Sequence, residues 1–102
     1  MRKPPRHFNQ LTKRFPDYMT ALERLGETVK QAGPLDPKTS ELIQLAAAAA
    51  IRSEGAVHSH VRRAQDLGAS REEIHHTLLL LTSTIGFPTV SAAMTWADDV
   101  LK

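Results

Sequence analysis

The stretch PKTSELIQLAAAAAIRSE, residues 37–54, constrains the fold more than any other part of the chain. Asp36 stands before it as a helix N-cap and Pro37 takes the first helical position, where its missing N–H costs nothing. No breaker follows until Gly55. Alanine has the best helix propensity and almost no side-chain bulk, so Ala46 to Ala50 predict a helix that another helix can approach closely. A helix this smooth is expected to be buried among other helices.

The remaining segments read in the same way. A helix is predicted to start near Asp17, with Met19, Leu22, Leu25 and Val29 at three- and four-residue spacing on one face, and to stop at Gly33-Pro34. After Gly55 a histidine-bearing helical segment runs to Gly68, a good C-cap residue. Ser70 and Glu73 form a capping box that opens EEIHHTLLLLTST, whose face is Ile74, Leu78 and Leu81. The extra leucines predict burial on two sides. GFP at 86–88 breaks that helix, and the last one is expected from about Thr89 to Leu101, with a stripe of Val90, Ala93, Met94, Ala97 and Leu101. Nothing alternates with period two over a useful length. The expected fold is all-α, about five helices in antiparallel hairpins.

Pro4, Pro5 and Pro16 discourage helix at the start, so residues 1–16 are expected to be an irregular arm, followed by a helical domain over 17–102. The net charge of +2 conceals an asymmetry: Arg2, Lys3, Arg6, Lys13 and Arg14 give the arm +5, leaving 2 − 5 = −3 for the rest. A basic arm can contact phosphates. This one carries no recognisable nucleic-acid motif and its body is acidic, so docking on a neighbouring subunit is the preferred reading and nucleic-acid binding ranks last. A chain of 102 residues buries a smaller fraction of its surface than a larger protein does, which favours oligomerisation. The chain has no cysteine, hence no disulfide, thiolate metal site or redox thiol. No apolar run approaches the roughly 20 residues that span a bilayer, and no apolar stretch follows the N-terminal charges as a signal peptide requires. A cytoplasmic protein with no membrane partner is expected.

The candidate chemistry lies in the histidines. His58 and His60 are two residues apart and point about 200° away from each other on a helix. Adjacent His75 and His76 are equally poor as a pair, and a two-histidine site wants i, i+4 spacing, so no metal and no cofactor are expected. Glu41, inside SELIQLAAA, is a carboxylate in a helix whose composition keeps one only where it is exposed or paired. If Glu41 and His60 share a partly buried pocket, they form a proton-transfer pair near neutral pH. With a turn near residue 54, His60 sits opposite about residue 48, which leaves Glu41 ~10 Å further along the axis. Contact then needs a large crossing angle, a bridging water or a helix from another subunit.

SELIQLAAAAA, HVRRAQDLGASREEI and IGFPTVSAAMTWADDVL, taken together over residues 17–101, resemble the carboxymuconolactone decarboxylase-like family, which includes alkylhydroperoxidase D. The resemblance implies the alkylhydroperoxidase D-like helical fold and assembly as a trimer or hexamer with the pocket near subunit contacts. In the peroxidase members a Cys-x-x-Cys pair precedes the histidine. Those two positions fall on Ser53 and Ala56 here, and the family's glutamate falls on Glu41. The proton-relay residues match and the redox residues do not, which excludes thiolate-based peroxide reduction in this chain. The decarboxylase members also lack the cysteine pair and share the H-x-R-x-A setting of HVRRA. They often carry an aromatic residue where this chain has Thr84, and they do not generally show the Glu41 match. The chain combines half of each pattern.

These readings predict a cofactor-free small-molecule enzyme, with His60 as general acid/base and Glu41 as its orienting partner. His58 and Ser53 would be polar pocket groups, and Arg62 or Arg63 would hold the carboxylate of an organic acid or lactone, with proton transfer or decarboxylation as the reaction. The alternative is a non-catalytic oligomer that binds a ligand or serves as a scaffold.

Overall fold

The computed structural model describes residues 6–102. Arg2, Lys3, Pro4 and Pro5 of the basic arm lie outside the described residues. The chain divides into two compact units, one ending at Pro34 and the other spanning Leu35–Lys102. Seven helices and no strand form among the described residues.

The first unit holds α1 (Arg6–Arg14) and α2 (Pro16–Lys30). Helix α1 corrects the expectation of an irregular arm. Residues 6–14 contain no proline, and Pro16 starts the next helix instead of suppressing the one before it. Phe15, at φ −137° and ψ 65°, is the joint, and its N–H still donates to the Leu11 carbonyl at 2.8 Å. Lys13 and Arg14 fall in the last turn of α1, where the helix dipole favours cations. None of the α1 side chains is buried. In α2 the expected apolar face is only partly used: Met19 is buried, whereas Leu22, Leu25 and Val29 stay about half exposed.

The second unit contains α3 (Pro37–Ala50), α4 (Glu54–Asp66), α5 (Arg71–Leu79), the single turn α6 (Thr82–Ile85) and α7 (Phe87–Val100). Asp36 caps α3 as expected, its carboxylate accepting from the Thr39 N–H at 3.5 Å. Helix α3 then ends at Ala50, five residues before Gly55. Arg52 adopts φ 57°, and the N–H groups of Arg52 and Ser53 close on the carbonyls of Ala49 and Ala48, each at 3.0 Å. This satisfies carbonyls that would otherwise be orphaned at the helix end. Ser53 immediately restarts the chain, its Oγ accepting from the Ala56 N–H at 3.3 Å, so Gly55 lies inside the first turn of α4.

Gly68, at φ 96°, turns the chain after α4, a conformation that suits a residue without Cβ. The capping box opening α5 is complete: Ser70 Oγ accepts from the Glu73 N–H at 3.0 Å and Glu73 Oε1 accepts from the Ser70 N–H at 2.9 Å. Lys38 Nζ reaches Glu73 Oε2 at 2.9 Å and ties the start of α5 to the start of α3. The leucine run does not continue as one helix. Leu81 N–H bonds the Leu78 carbonyl, three residues back, and Thr82 Oγ1 donates to the Leu79 carbonyl at 2.8 Å, so the ladder tightens and breaks between α5 and α6. Leu79 and Leu80 are exposed, which corrects the expected two-sided burial. Helix α7 begins at Phe87, earlier than expected, because Pro88 fits its first turn.

The core of this unit joins Leu45, Ala48 and Ala49 of α3 with Val57, Val61 and Ala64 of α4, Ile74 and Leu78 of α5, and Ala93 and Ala97 of α7. Each set follows the spacing of one helix face. Two of the five alanines in the run, Ala48 and Ala49, are buried, and Ala47 and Ala50 face solvent. The helix is therefore one-sided in this chain rather than enclosed. Alanine on α3, α4 and α7 keeps the helices close, as the small side chains predict.

Candidate functional site

On α3 the buried row runs Glu41, Leu45, Ala48, so helical periodicity carries a carboxylate into line with core residues. Glu41 is 1% exposed. On α4 the core row is Val57, Val61, Ala64, and His60 lies on the flank of that face, with 16% of its side chain exposed. His60 Nδ1 and Glu41 Oε1 are 2.8 Å apart. The contact is direct and lies within one chain. The expected offset disappears because the link between the helices, residues 51–53, is short and starts early. Mirrored about residue 52, His60 faces residue 44, and Glu41 lies three residues further, about 4.5 Å, which two long side chains span.

The chemistry of the pair follows from this geometry. The carboxylate accepts the Nδ1–H hydrogen bond and so selects the tautomer in which Nε2 carries the lone pair. Nε2 is then the ring nitrogen left outside this contact. Burial makes the contact costly to break by halves, because stripping one partner from such a pair typically costs about 3–5 kcal/mol.

The other expected site residues have different surroundings. His58 Nε2 lies 3.2 Å from Asp99 Oδ2 on α7, so the two histidines engage different partners, as their spacing predicts. The Ser53 hydroxyl caps α4 through the Ala56 N–H. Arg62 is half-buried and Arg63 exposed. His75 Nε2 pairs with Asp98 Oδ1 at 2.8 Å, also on α7. Asp98 and Asp99 were missed by sequence reasoning, although two acids in the last turn of a helix oppose its dipole and so ask for cationic or N–H partners. A shallow groove along α2, lined by Asp17, Thr20, Ala21, Arg24, Leu25 and Thr28, contains neither member of the Glu41–His60 pair.

Two carboxylates in the second unit have pKa values below the ordinary. Hydrogen bonding from Thr39 is the main cause at Asp36. At Glu73 the Ser70 backbone N–H comes first and the Lys38 side chain second. Both groups cap helices.

Fold and site thus define an all-helical protein with a buried glutamate–histidine pair and no cysteine in the chain. Residues 16–99 match the pattern of the Carboxymuconolactone decarboxylase family, and the chain belongs to that family. It is similar to an uncharacterised protein of Methanocaldococcus jannaschii, 31% identical over 83 residues that make up 80% of each chain. An uncharacterised protein of Haemophilus influenzae is 37% identical over 57 residues, 56% of this chain and 50% of that one. Among solved structures, the apo form of a carboxymuconolactone decarboxylase family protein from Legionella pneumophila superposes with a TM-score of 0.78 at 29% identity, covering 94% of this chain and 88% of the other.

Proposed function

We propose that this protein is a cofactor-free acid–base enzyme acting on a small organic acid or lactone. The observation that carries the reading is the 2.8 Å contact between His60 Nδ1 and a Glu41 carboxylate that is 1% exposed. His60 Nε2 takes the proton from a carbon next to a carbonyl, and the electron pair moves onto the carbonyl oxygen as an enolate. Glu41 stabilises the imidazolium that forms and keeps the ring in place. Returning the proton to carbon completes a transfer. In a decarboxylation the departing CO2 leaves its electron pair on that carbon, and protonated His60 supplies the proton. Arg62 or Arg63 holds the substrate carboxylate, and His58 and Ser53 contribute polarity at the rim. The assembled protein is a trimer or hexamer, a reading supported by apolar side chains left exposed in the single chain, Ile51 at 75% and Phe87 at 69% among them, and its place is the cytoplasm.

The test is a panel of small acids and lactones, scored first by the rise in Tm and then by exchange of carbon-bound hydrogen in D2O followed by NMR. A hit whose exchange or decarboxylation disappears in His60→Ala and falls in Glu41→Gln supports the reading. Exchange that survives unchanged in His60→Ala overturns it. The competing reading, a ligand-binding scaffold, predicts stabilisation by a ligand with no exchange in the wild-type protein.

A further inference from the structure

We infer that Glu54, His58 and Asp99 form a binding site for a divalent transition-metal ion that uses neither Glu41 nor His60, with His58, given a rim role above, as its imidazole ligand. The argument begins with spacing. Glu54 and His58 are i and i+4 on α4, the helical separation that brings two side chains to one surface. Asp99, in the last turn of α7, meets them from the neighbouring helix. One donor atom from each, a carboxylate oxygen or an imidazole nitrogen, lies within 4.8 Å of the other two.

The His58–Asp99 separation admits an ion as well as a hydrogen bond. His58 Nε2 and Asp99 Oδ2 are 3.2 Å apart, whereas the comparable His75–Asp98 contact is 2.8 Å. Two donors at about 2.0–2.2 Å from one zinc ion lie about 2.9 Å apart at a right angle and about 3.4 Å apart at the tetrahedral angle. The observed separation falls inside that interval. Glu54 is exposed and has no hydrogen-bond or ion-pair partner among the described residues, so its flexible side chain is available to close the remaining distance. The positive end of α4 and the negative end of α7 meet here, and the carbonyl end of α7 favours a cation where the start of α4 would oppose one.

Donor chemistry selects the class of ion. One imidazole with two carboxylates suits zinc, cobalt, nickel or manganese, whereas calcium and magnesium prefer an all-oxygen shell. Three protein ligands leave at least one position for water. The ion would clamp α4 to α7 across 41 residues of sequence.

The experiment uses the full chain stripped of metal and titrated with Zn2+ by calorimetry and with Co2+ by visible absorption. One ion per chain is expected, with a rise in Tm. His58→Ala and Asp99→Asn should each weaken binding about 10-fold or more, and Glu54→Gln should weaken it measurably. His75→Ala, which removes the other histidine–aspartate pair, should leave binding unchanged. No saturable binding to the wild-type protein overturns the proposal, as does equal affinity in folded His58→Ala and Asp99→Asn or a matching loss in His75→Ala. Circular dichroism on each variant separates loss of a ligand from loss of the fold, and Asp99→Asn, which keeps the side-chain shape, serves if His58→Ala does not fold.

Discussion

At the scale of single residues, the Glu41–His60 pair sets a test that simple truncation cannot. His60→Ala strips a buried carboxylate of its imidazole partner and should lower stability by about 3 kcal/mol. Adding Glu41→Leu to that variant removes the buried carboxylate as well, and the double variant should recover at least about 1 kcal/mol in urea unfolding. A double variant less stable than His60→Ala would show that the carboxylate contributes through something other than its histidine. Glu73 offers a second test, with pH as the variable. Its pKa is lowered in the folded state, so its contribution is fully present above its ordinary value and is lost as pH falls through the lowered one. Glu73→Gln should therefore flatten the fall of Tm below about pH 4, while the wild-type protein shows the steeper acid limb.

The helices show which signals are local enough to read from sequence. Asp36-Pro37 and Ser70-x-x-Glu73 are legible because a cap involves only four consecutive residues, and both form as expected. Ser70→Ala should cost about 1 kcal/mol. Helix α1 was not legible because a proline acts on the residues beside it in a direction that depends on where the next helix begins. The break at Leu80 was not legible because it comes from a tightened turn and a Thr82 side-chain bond, without glycine or proline. The end of α3 matters most for the site, since the position of the turn decides which residues of α3 and α4 face each other. Both members of the pair were evident as candidates, and their contact was not. Arg52 holds that turn at φ 57°, where a Cβ is strained and a branched one more so. Arg52→Gly should raise stability by roughly 0.5 kcal/mol, the relief of strain offset by a more flexible unfolded chain, and Arg52→Val should lower it by roughly 1 kcal/mol or more. Equal stabilities of the two variants would remove strain from the account of this turn.

For the whole molecule, the apolar residues left at the surface bear on assembly. Leu22, Leu25 and Val29 lie at helical spacing on α2 and are about half exposed, and a chain of 102 residues buries a smaller fraction of its surface than a larger one does. The expected outcome is a trimer or hexamer by sedimentation, with a Tm that rises with protein concentration. A monomer at micromolar concentration would contradict it.

The proton pair, however, is supplied whole by each polypeptide, because its two halves sit nineteen positions apart on consecutive helices. Under the proposed function, each chain carries both members of the relay. Mixed particles assembled from wild-type chains and a doubly disabled form should lose turnover in linear proportion to the inert fraction. Co-expressing Glu41→Gln with His60→Ala should give no complementation, because neither defective copy can lend its companion the missing half.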